Sequence, residues 1–372
     1  MTDEVWAPGR VNLIGEHIDY HGLPVMPMAT WRRIRIRFQA RRDRQIRAVS
    51  GHYGAREFEW SESLQPVAAG DWENYLRAAS QAVSGRWGTG SGVDAHIESD
   101  LPAAAGLSSS SALIVAFTLC LLRANGWSAG FEDLMQVLPE GEHFVGTRGG
   151  GMDHAASLAS RAGCAVRISF EPLAVRHVPV PAEWSFLVAH SLQTAEKSGS
   201  AREAYNARRK AGFTALGKLG LRSYHEALCT TLDRGGREGL TLEERDAFLH
   251  TVGEARRVDE AVLAMESGDA PRFGRILLES HASLRDRLRV SSPALDRLVE
   301  AAMASGAFGA RLTGAGFGGC AVILARRADL LGVRQGLKER FYAGRAEFRE
   351  DVHLIDAEPG PGALTPFSGD LQ

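Results

Sequence analysis

The period of the hydrophobic residues changes near residue 108, and this change limits the folds that the chain can adopt. Earlier segments alternate apolar and polar residues, as at residues 33–38 and 93–97, which predicts antiparallel strands with one buried face. Later segments follow helical periods, most clearly at residues 201–215 and 242–265, with a strand at residues 164–168. Strands and helices are mixed without strict alternation, which predicts an α+β fold rather than a doubly wound sheet.

A length of 372 residues favours two domains. Prolines are spaced through residues 172–181, a composition typical of a joint between domains. We therefore place a boundary near residue 182 and predict domains at residues 1–182 and 183–372.

The charge and the cysteines exclude several classes of protein. The 43 Lys and Arg against 45 Asp and Glu give a net charge of −2, which argues against a dedicated nucleic-acid or membrane binder. The four cysteines are far apart and form no CxxC pair, so neither a disulfide framework nor a thiolate zinc site is predicted. The first residues lack a signal-peptide pattern, and the longest apolar run, residues 112–122, predicts a buried helix. We expect a cytoplasmic protein; the sequence leaves its oligomeric state open, with a monomer as the expectation.

The first unusual motif, residues 8–22, places an apolar stretch between an arginine and a dense polar cluster. Glu16, His17 and Asp19 stand between glycines, and such side chains can bind a ligand rich in hydroxyl groups. Two alternatives remain open at this point. The cluster is either a polar turn, or a metal site of a hydrolase in which His17 and His21 flank Asp19.

The second motif, residues 101–112, is a Gly and Ser loop that opens directly into the apolar helix. Free amides at a helix N-terminus attract phosphate, and serine hydroxyls there can bind phosphate oxygens or Mg²⁺. The loop contains no Lys, which excludes a Walker A motif. The alternative is an ordinary N-cap, although a cap needs one serine and four occur in a row.

The third motif, residues 311–320, satisfies GxGxxG but leads into the strand-like residues 321–324. A dinucleotide fingerprint instead opens a helix after the first strand of a βαβ unit, so that reading is excluded. The loop predicts a close approach of backbone to a ligand, with a structural tight turn as the alternative.

A fourth segment carries two carboxylates. Glu142 precedes three consecutive glycines, residues 149–151, and Asp153 follows them. Asp153 is either a carboxylate placed where only backbone fits or a cap of the helix that follows. The four segments together describe phosphoryl transfer from a nucleotide to a polyol.

These loops resemble the GHMP small-molecule kinases, and within them the galactokinase and N-acetylgalactosamine kinase branch. Residues 9–20 resemble the galactokinase signature, residues 106–110 the family's phosphate loop, and residues 313–319 its third motif. Their order and spacing agree along nearly the whole chain. The resemblance implies a two-domain α+β fold with the active site in the cleft between the domains.

The resemblance also implies a role for each motif residue. Asp153 would be the catalytic carboxylate, and Arg10 would stabilise it and the charge on the transferred phosphoryl group. Ser110 and Glu142 would hold Mg²⁺. The residues implied to bind ATP are Gly106, Leu107, Ser108, Ser109, Ser110, Trp72, Tyr75 and Gly316. The residues implied to bind the sugar are Glu16, His17, Asp19, Tyr205, Gly150 and Gly151.

We therefore expect an ATP- and Mg²⁺-dependent kinase that phosphorylates the anomeric hydroxyl of galactose. The serine motif and the glycines before Asp153 are closer to N-acetylgalactosamine kinases and fungal galactokinases, and an absent side chain near the sugar's second carbon could admit an N-acetyl group. A kinase for that or another related sugar is thus one alternative, and a non-catalytic sugar and ATP sensor is another. Pro139, three residues before Glu142, predicts an interruption of the helix there.

Overall fold

The structure, a computed structural model, describes residues 2–102, 106–144, 146, 149–193, 200–230 and 239–364; for residues 142, 143 and 200–202 it describes the backbone alone. The strands are β1 (Asp3–Ile14), β2 (Met26–Ala40), β3 (Gln45–Ser50), β4 (Gly54–Glu59), β5 (Val93–Ser99), β6 (Cys164–Phe170), β7 (Leu173–Pro179), β8 (Trp184–His190), β9 (Gly309–Thr313), β10 (Cys320–Arg326) and β11 (Leu354–Asp356). The helices are α1 (Glu73–Trp87), α2 (Ser109–Ala124), α3 (Phe131–Phe144), α4 (Met152–Ala159), α5 (Ser200–Lys218), α6 (Tyr224–Cys229), α7 (Leu242–Glu266), α8 (Ala270–Ser283), α9 (Pro293–Ala304), α10 (Leu330–Leu337) and α11 (Glu350–His353).

The first large sheet has five strands in the order β1-β2-β5-β3-β4, antiparallel except for the pair β3 and β5. Its alternation is the predicted one: Ile34, Ile36 and Phe38 of β2 are buried. Between them Arg37 faces the other side and forms an ion pair with Glu4 of β1 at 3.0 Å. Helices α2 and α4 pack on β1 and β2, which confirms the predicted buried helix and places the N-terminal ends of both helices beside β1.

The second large sheet has four antiparallel strands in the order β11-β8-β10-β9. Every residue of β8 is buried, since the first hydrophobic cluster covers one face and the cluster around α9 and α10 covers the other. A strand that is buried on both faces reads as a continuous apolar run, so its sequence does not alternate. The third glycine motif connects β9 to β10, as the strand-like residues after it indicated.

The proline-spaced residues 172–181, where the sequence predicts a joint between domains, contain a strand. Leu173–Pro179 form β7, which pairs along its length with β6. The prolines are compatible with this strand because Pro172 precedes it, Pro179 is its last residue and Pro181 follows it, positions where a missing N–H does not interrupt the pairing.

A single hydrophobic cluster includes residues from before and after residue 182. It contains Leu13 and Phe117 on one side, and Phe186 and Phe273 on the other. The five-stranded sheet nevertheless lies wholly before residue 182 and the four-stranded sheet wholly after it. The mixed α+β fold is confirmed, and the domain boundary at residue 182 stays a prediction.

The interruption expected at Pro139 is also wrong, because α3 continues through this residue to Phe144. Helix α3 packs against α1, α2 and α4, and this packing compensates for the backbone hydrogen bond that proline cannot make. None of the described helices is long and apolar enough to cross a membrane.

Candidate active site

Arg10 of β1 and Asp153 of α4 form the centre of the site. Arg10 Nε donates to Asp153 Oδ1 at 2.6 Å, and Nη1 of the same guanidinium donates to the Gly106 carbonyl at 2.8 Å. Asp153 Oδ2 accepts from the Ser108 hydroxyl and, at 3.4 Å, from the Ser111 hydroxyl. The pair therefore joins β1, α4 and the loop before α2.

The environment of Asp153 keeps its carboxylate ionised. Burial raises the pKa of Asp153, but the charge of Arg10 and the hydrogen bonds from Arg10 and Ser108 outweigh burial and hold the pKa below its ordinary value. Asp153 is not a cap, because the N-cap of α4 is Gly151 and Asp153 lies in the first turn. That position favours a negative charge through the helix dipole.

The phosphate motif is not an ordinary N-cap. Ser108 occupies the N-cap position of α2 with a left-handed φ of 52°, and its side chain makes no capping hydrogen bond. Its hydroxyl binds Asp153 instead. Ser109 and Ser110 follow at the N-terminus of α2, partly exposed, while Leu107 is buried in the core. The first amides of this helix are therefore not used by a Ser108 cap, which suits an anionic ligand.

Asp19 lies in a short 3-10 turn, Asp19–His21, against the backbone of Gly150. The Gly150 N–H donates to Asp19 Oδ2 at 2.9 Å, and a Cβ on residue 150 would lie 2.2 Å from the carbonyl carbon of Asp19. Only glycine permits this approach. Burial and the charge of Asp153 raise the pKa of Asp19 to about 6, although backbone hydrogen bonds from Gly150 and Tyr20 oppose the rise.

The backbone at Gly150 and Gly151 packs closely against neighbouring residues. A Cβ on Gly151 would lie 3.0 Å from Met135 and 3.2 Å from Pro139, and the space beside Gly150 is filled by the Asp19–Tyr20 backbone. The expectation that an absent side chain near the sugar's second carbon admits an N-acetyl group stays a prediction.

Glu16 is buried against the third glycine motif. Its Oε1 lies 2.7 Å from Nη2 of Arg311 and accepts from the Gly314 N–H at 2.6 Å and the Thr313 hydroxyl at 3.3 Å. Burial raises the pKa of Glu16, and the charges of Arg311 and Arg10 oppose the rise. This carboxylate is thus held by β9 and by the loop that follows it.

His17 uses both ring nitrogens within the protein. Nε2 lies 3.1 Å from the Ala315 carbonyl and Nδ1 lies 3.0 Å from the Tyr20 hydroxyl. Because a carbonyl only accepts, Nε2 carries the hydrogen and Nδ1 accepts from Tyr20. Burial and the neighbouring His250 lower the pKa of His17 to about 3, so the ring is neutral. The Tyr205 ring lies 5.1 Å from that of His17, which brings these two predicted sugar residues together.

The alternative of a hydrolase metal site is wrong. Both nitrogens of His17 are already hydrogen-bonded, so neither is available to join His21 and Asp19 around an ion. Within the described ranges, no group of three His, Cys, Asp or Glu side chains is arranged to hold a metal.

The structure explains Gly316 by packing. Its φ is 84°, and a Cβ there would lie 2.2 Å from the Val290 carbonyl oxygen. The loop around it is fixed by Phe317, whose N–H donates to the same carbonyl at 2.6 Å. A contact of Gly316 with ATP stays a prediction.

The remaining predicted residues lie on helices that pack around α2. Trp72 directly precedes α1, is buried, and donates its indole N–H to the Tyr53 carbonyl at 3.1 Å. Tyr75 lies in the first turn of α1, partly exposed. Glu142 belongs to α3 by its backbone, while its side chain lies outside the described part of the chain. The adenine and Mg²⁺ roles of these residues stay predictions.

Sequence reasoning missed several residues that build the site. Ser111, the last of the four consecutive serines, donates to Asp153. Arg311 and Glu254 are fully buried beneath residues 15 and 16. A signal existed for Glu254, because it stands with His250 at positions i and i+4 among the apolar residues of α7.

Comparisons with known proteins agree with this geometry. Three family models match: "GHMP kinases N terminal domain" at residues 74–161, "GHMP kinases C terminal" at residues 261–343, and "Galactokinase galactose-binding signature" at residues 4–39. The chain is 35% identical to a galactokinase of Streptomyces coelicolor, over 96% of this chain and 93% of that protein. It is also 35% identical to a galactokinase of Homo sapiens, over 97% of this chain and 92% of that protein.

Solved structures show the same fold. The galactokinase of Lactococcus lactis, solved with galactose, superposes with a TM-score of 0.87 at 26% identity and covers 97% of this chain and 94% of its own. A mevalonate kinase superposes with a TM-score of 0.64 at 18% identity, covering 96% of this chain and 98% of its own, which reflects the shared fold. The identity to the curated relatives extends over nearly the whole length of both partners, and the family predicted from the three loops is confirmed: the chain belongs to the galactokinase family of the GHMP kinases.

Proposed function

We propose that this protein is a galactokinase that transfers the γ-phosphate of ATP to the anomeric hydroxyl of galactose. One observation carries the proposal: the carboxylate of Asp153 accepts hydrogen bonds from both Arg10 and Ser108. A candidate base is thereby placed directly at the loop that opens α2, where the helix amides favour phosphate.

Asp153 acts on the sugar hydroxyl mainly by orienting it. A carboxylate oxygen accepts about two hydrogen bonds, and Oδ1 receives one from Arg10, so it retains a lone pair for the substrate. Because Arg10 holds the pKa of Asp153 low, the carboxylate is a weak base. It takes the proton only as the hydroxyl becomes acidic, late in the transfer, so positioning contributes more than proton removal.

The phosphates of ATP would lie at the N-terminus of α2, where helix amides and the dipole offset their charge. Ser110 and Glu142 provide a hydroxyl and a carboxylate, the oxygen donors that Mg²⁺ prefers. When bound, Mg²⁺ neutralises charge on the terminal phosphates. Arg10 adds a fixed positive charge between this loop and Asp153.

The sugar hydroxyls would bind Asp19, Glu16 and Tyr205, with His17 supporting the wall of the pocket. Asp19 and Glu16 are both buried and already held by backbone N–H groups, which fixes the acceptors before the sugar arrives. A site of this kind rejects sugars that leave a buried acceptor unpaired.

We further propose that the enzyme works in the cytoplasm as a monomer, with ATP and the sugar as its partners. All four cysteines are free thiols, as expected in a reducing compartment. Light scattering of the purified protein tests the monomer directly.

The test of the function is ATP consumption by the purified protein with Mg²⁺ against galactose, N-acetylgalactosamine, glucose, arabinose and glucuronic acid. Asp153→Asn is the control, since it keeps the size of the side chain and removes its charge. We expect turnover on galactose that is lost in the control. Turnover on N-acetylgalactosamine alone would assign that substrate instead, and sugar binding without turnover would favour a sensor.

A second experiment tests the Mg²⁺ ligand. Glu142→Gln should raise the Mg²⁺ concentration needed for half-maximal rate, with the rate recovering at saturating Mg²⁺. An unchanged Mg²⁺ dependence would show that the carboxylate ligand lies elsewhere.

A further inference from the structure

Three ionisable side chains are buried together beneath the predicted sugar loop. Glu16 follows β1, Glu254 lies in the middle of α7, and Arg311 belongs to β9. All three are at least 96% buried. The guanidinium of Arg311 lies 2.7 Å from Glu16 Oε1 and 3.6 Å from Glu254 Oε1, so it joins two carboxylates from distant parts of the chain. Burying such charges is costly unless each is paired, so this cluster needs an explanation.

One stripe of α7 holds the backbone of the sugar loop. Glu254 Oε1 accepts from the Gly15 N–H at 3.0 Å and from the Ser280 hydroxyl at 2.7 Å. One turn earlier, His250 Nε2 lies 3.0 Å from the Glu16 carbonyl and therefore donates to it. Residues 250 and 254 are one helical turn apart, so a single face of α7 fixes two consecutive residues of the loop.

Arg311 holds the side chain of the same loop residue. Its Nη1 also donates to the Leu13 carbonyl at 3.2 Å, and its Nε donates to the carbonyl of Leu312 at 2.8 Å. The guanidinium is therefore anchored to backbone on both sides while it pairs with Glu16. Arg311, the Gly314 N–H and the Thr313 hydroxyl all approach Oε1, so these described contacts fix that oxygen, and Oε2 is the second acceptor of the carboxylate.

The charges in the cluster balance. Burial raises the pKa of Glu254, but the charges of Arg257, His250 and Arg311 outweigh it and lower the pKa to about 2. Glu254 is therefore ionised, and it compensates Arg311 and also Arg257, whose Nε lies 2.8 Å from Oε2. Without Glu254, Arg311 would have Glu16 as its sole carboxylate among these neighbours, and the loop would lose its bond at Gly15.

We propose that Glu254 and Arg311 are positioning residues for the sugar: they hold Glu16 in the orientation that presents its Oε2 to a substrate hydroxyl. This inference rests on the proposed function, since it assigns their effect to galactose and not to ATP. Neither residue touches the substrate, and both act through Glu16.

The test compares KM for galactose with KM for ATP in a Glu254→Gln variant. Glutamine keeps the shape and removes the charge, so the loop shifts and KM for galactose should rise about tenfold or more, as expected for a misplacement of about 1 Å. KM for ATP should stay within about twofold, because the α2 loop has no contact with Glu254 among the described hydrogen bonds. Glu244→Gln is the matched control on the same helix, where the side chain serves the capping box and Lys218.

A double-mutant cycle separates positioning from general destabilisation. If Glu254 acts through Glu16, adding Glu254→Gln to a Glu16→Gln protein should change KM for galactose by less than about twofold. A merely structural role would give the full additional loss in both backgrounds. Ser280→Ala is a second, milder variant, because it removes one hydrogen-bond donor to Glu254 and keeps every charge. In this variant KM for galactose should rise at least about twofold.

The outcomes distinguish the two proposals. The inference alone is overturned if the wild-type enzyme is active but Glu254→Gln and Ser280→Ala both leave KM for galactose unchanged. It is also overturned if both variants change KM for galactose and KM for ATP equally. The same holds if the effects of Glu254→Gln and Glu16→Gln are fully additive. A wild-type protein that neither binds nor phosphorylates galactose overturns the proposed function and the inference with it.

Discussion

Replacing Gly150 with alanine should disable the sugar site while leaving the fold intact. The new Cβ would lie 2.2 Å from the carbonyl carbon of Asp19 and 2.3 Å from the Tyr20 nitrogen. Carbon atoms in contact need about 3.5 Å, so the two backbones must separate by about 1.3 Å. This shift breaks the 2.9 Å bond from the Gly150 N–H to Asp19 Oδ2. A misplacement of about 1 Å costs on the order of 100-fold in rate, or about 2.7 kcal/mol.

Steady-state kinetics on galactose provides the assay, with kcat/KM expected to fall about 100-fold in Gly150→Ala. Backbone strain is not the cause, because Gly150 does not have a positive φ, unlike Gly151 at 96°. Gly332→Ala is the matched control, since this exposed helical glycine has nothing within 4 Å of an added Cβ. If Gly150→Ala retains wild-type kcat/KM, the close approach of Asp19 and Gly150 does not determine sugar binding and the reasoning fails.

Three further changes have defined outcomes. Ser108→Ala removes a donor to Asp153 and should lower kcat about tenfold with little change in KM for galactose; an unchanged kcat would contradict the role of this hydrogen bond. Burial and Asp153 raise the pKa of Asp19 to about 6, so KM for galactose should rise about tenfold from pH 7 to pH 5 as this acceptor is protonated, and Asp19→Asn should remove that limb of the profile. Between the ordinary pKa of 3.8 and about 6, this shift makes the folded state bind more protons than the unfolded state. The contribution of Asp19 to stability therefore increases as the pH falls through this window. Acid unfolding caused by Asp19 thus does not explain the rise in KM for galactose. Thr241→Ala removes the capping box with Glu244 and should lower the free energy of unfolding by about 1 kcal/mol in a urea titration, with galactose kinetics unchanged.

The sequence alone predicted the fold class and the candidate residues of the site. Period-two alternation in β2 and helical periods in α5 and α7 are local properties of the chain, and their physical cause is the burial of one face. The roles of Arg10, Asp153 and Ser108 were expected because their motifs resemble those of the GHMP kinases. The helix through Pro139 and the strand β7 could not be predicted in this way, since packing against other elements overrides local preference.

Tertiary structure decided which groups meet. Arg10 and Asp153 are 143 residues apart, and Glu16 and Arg311 are nearly 300 apart, so no local pattern encodes their contacts. The pKa values of Asp19 and Asp153 move in opposite directions, although both carboxylates are buried. Burial and the negative charge of Asp153 raise the pKa of Asp19, whereas the guanidinium of Arg10 outweighs burial and lowers the pKa of Asp153. The sequence specifies the residue types. Their burial and their charged neighbours, which determine what these residues can do, arise only when distant segments pack together.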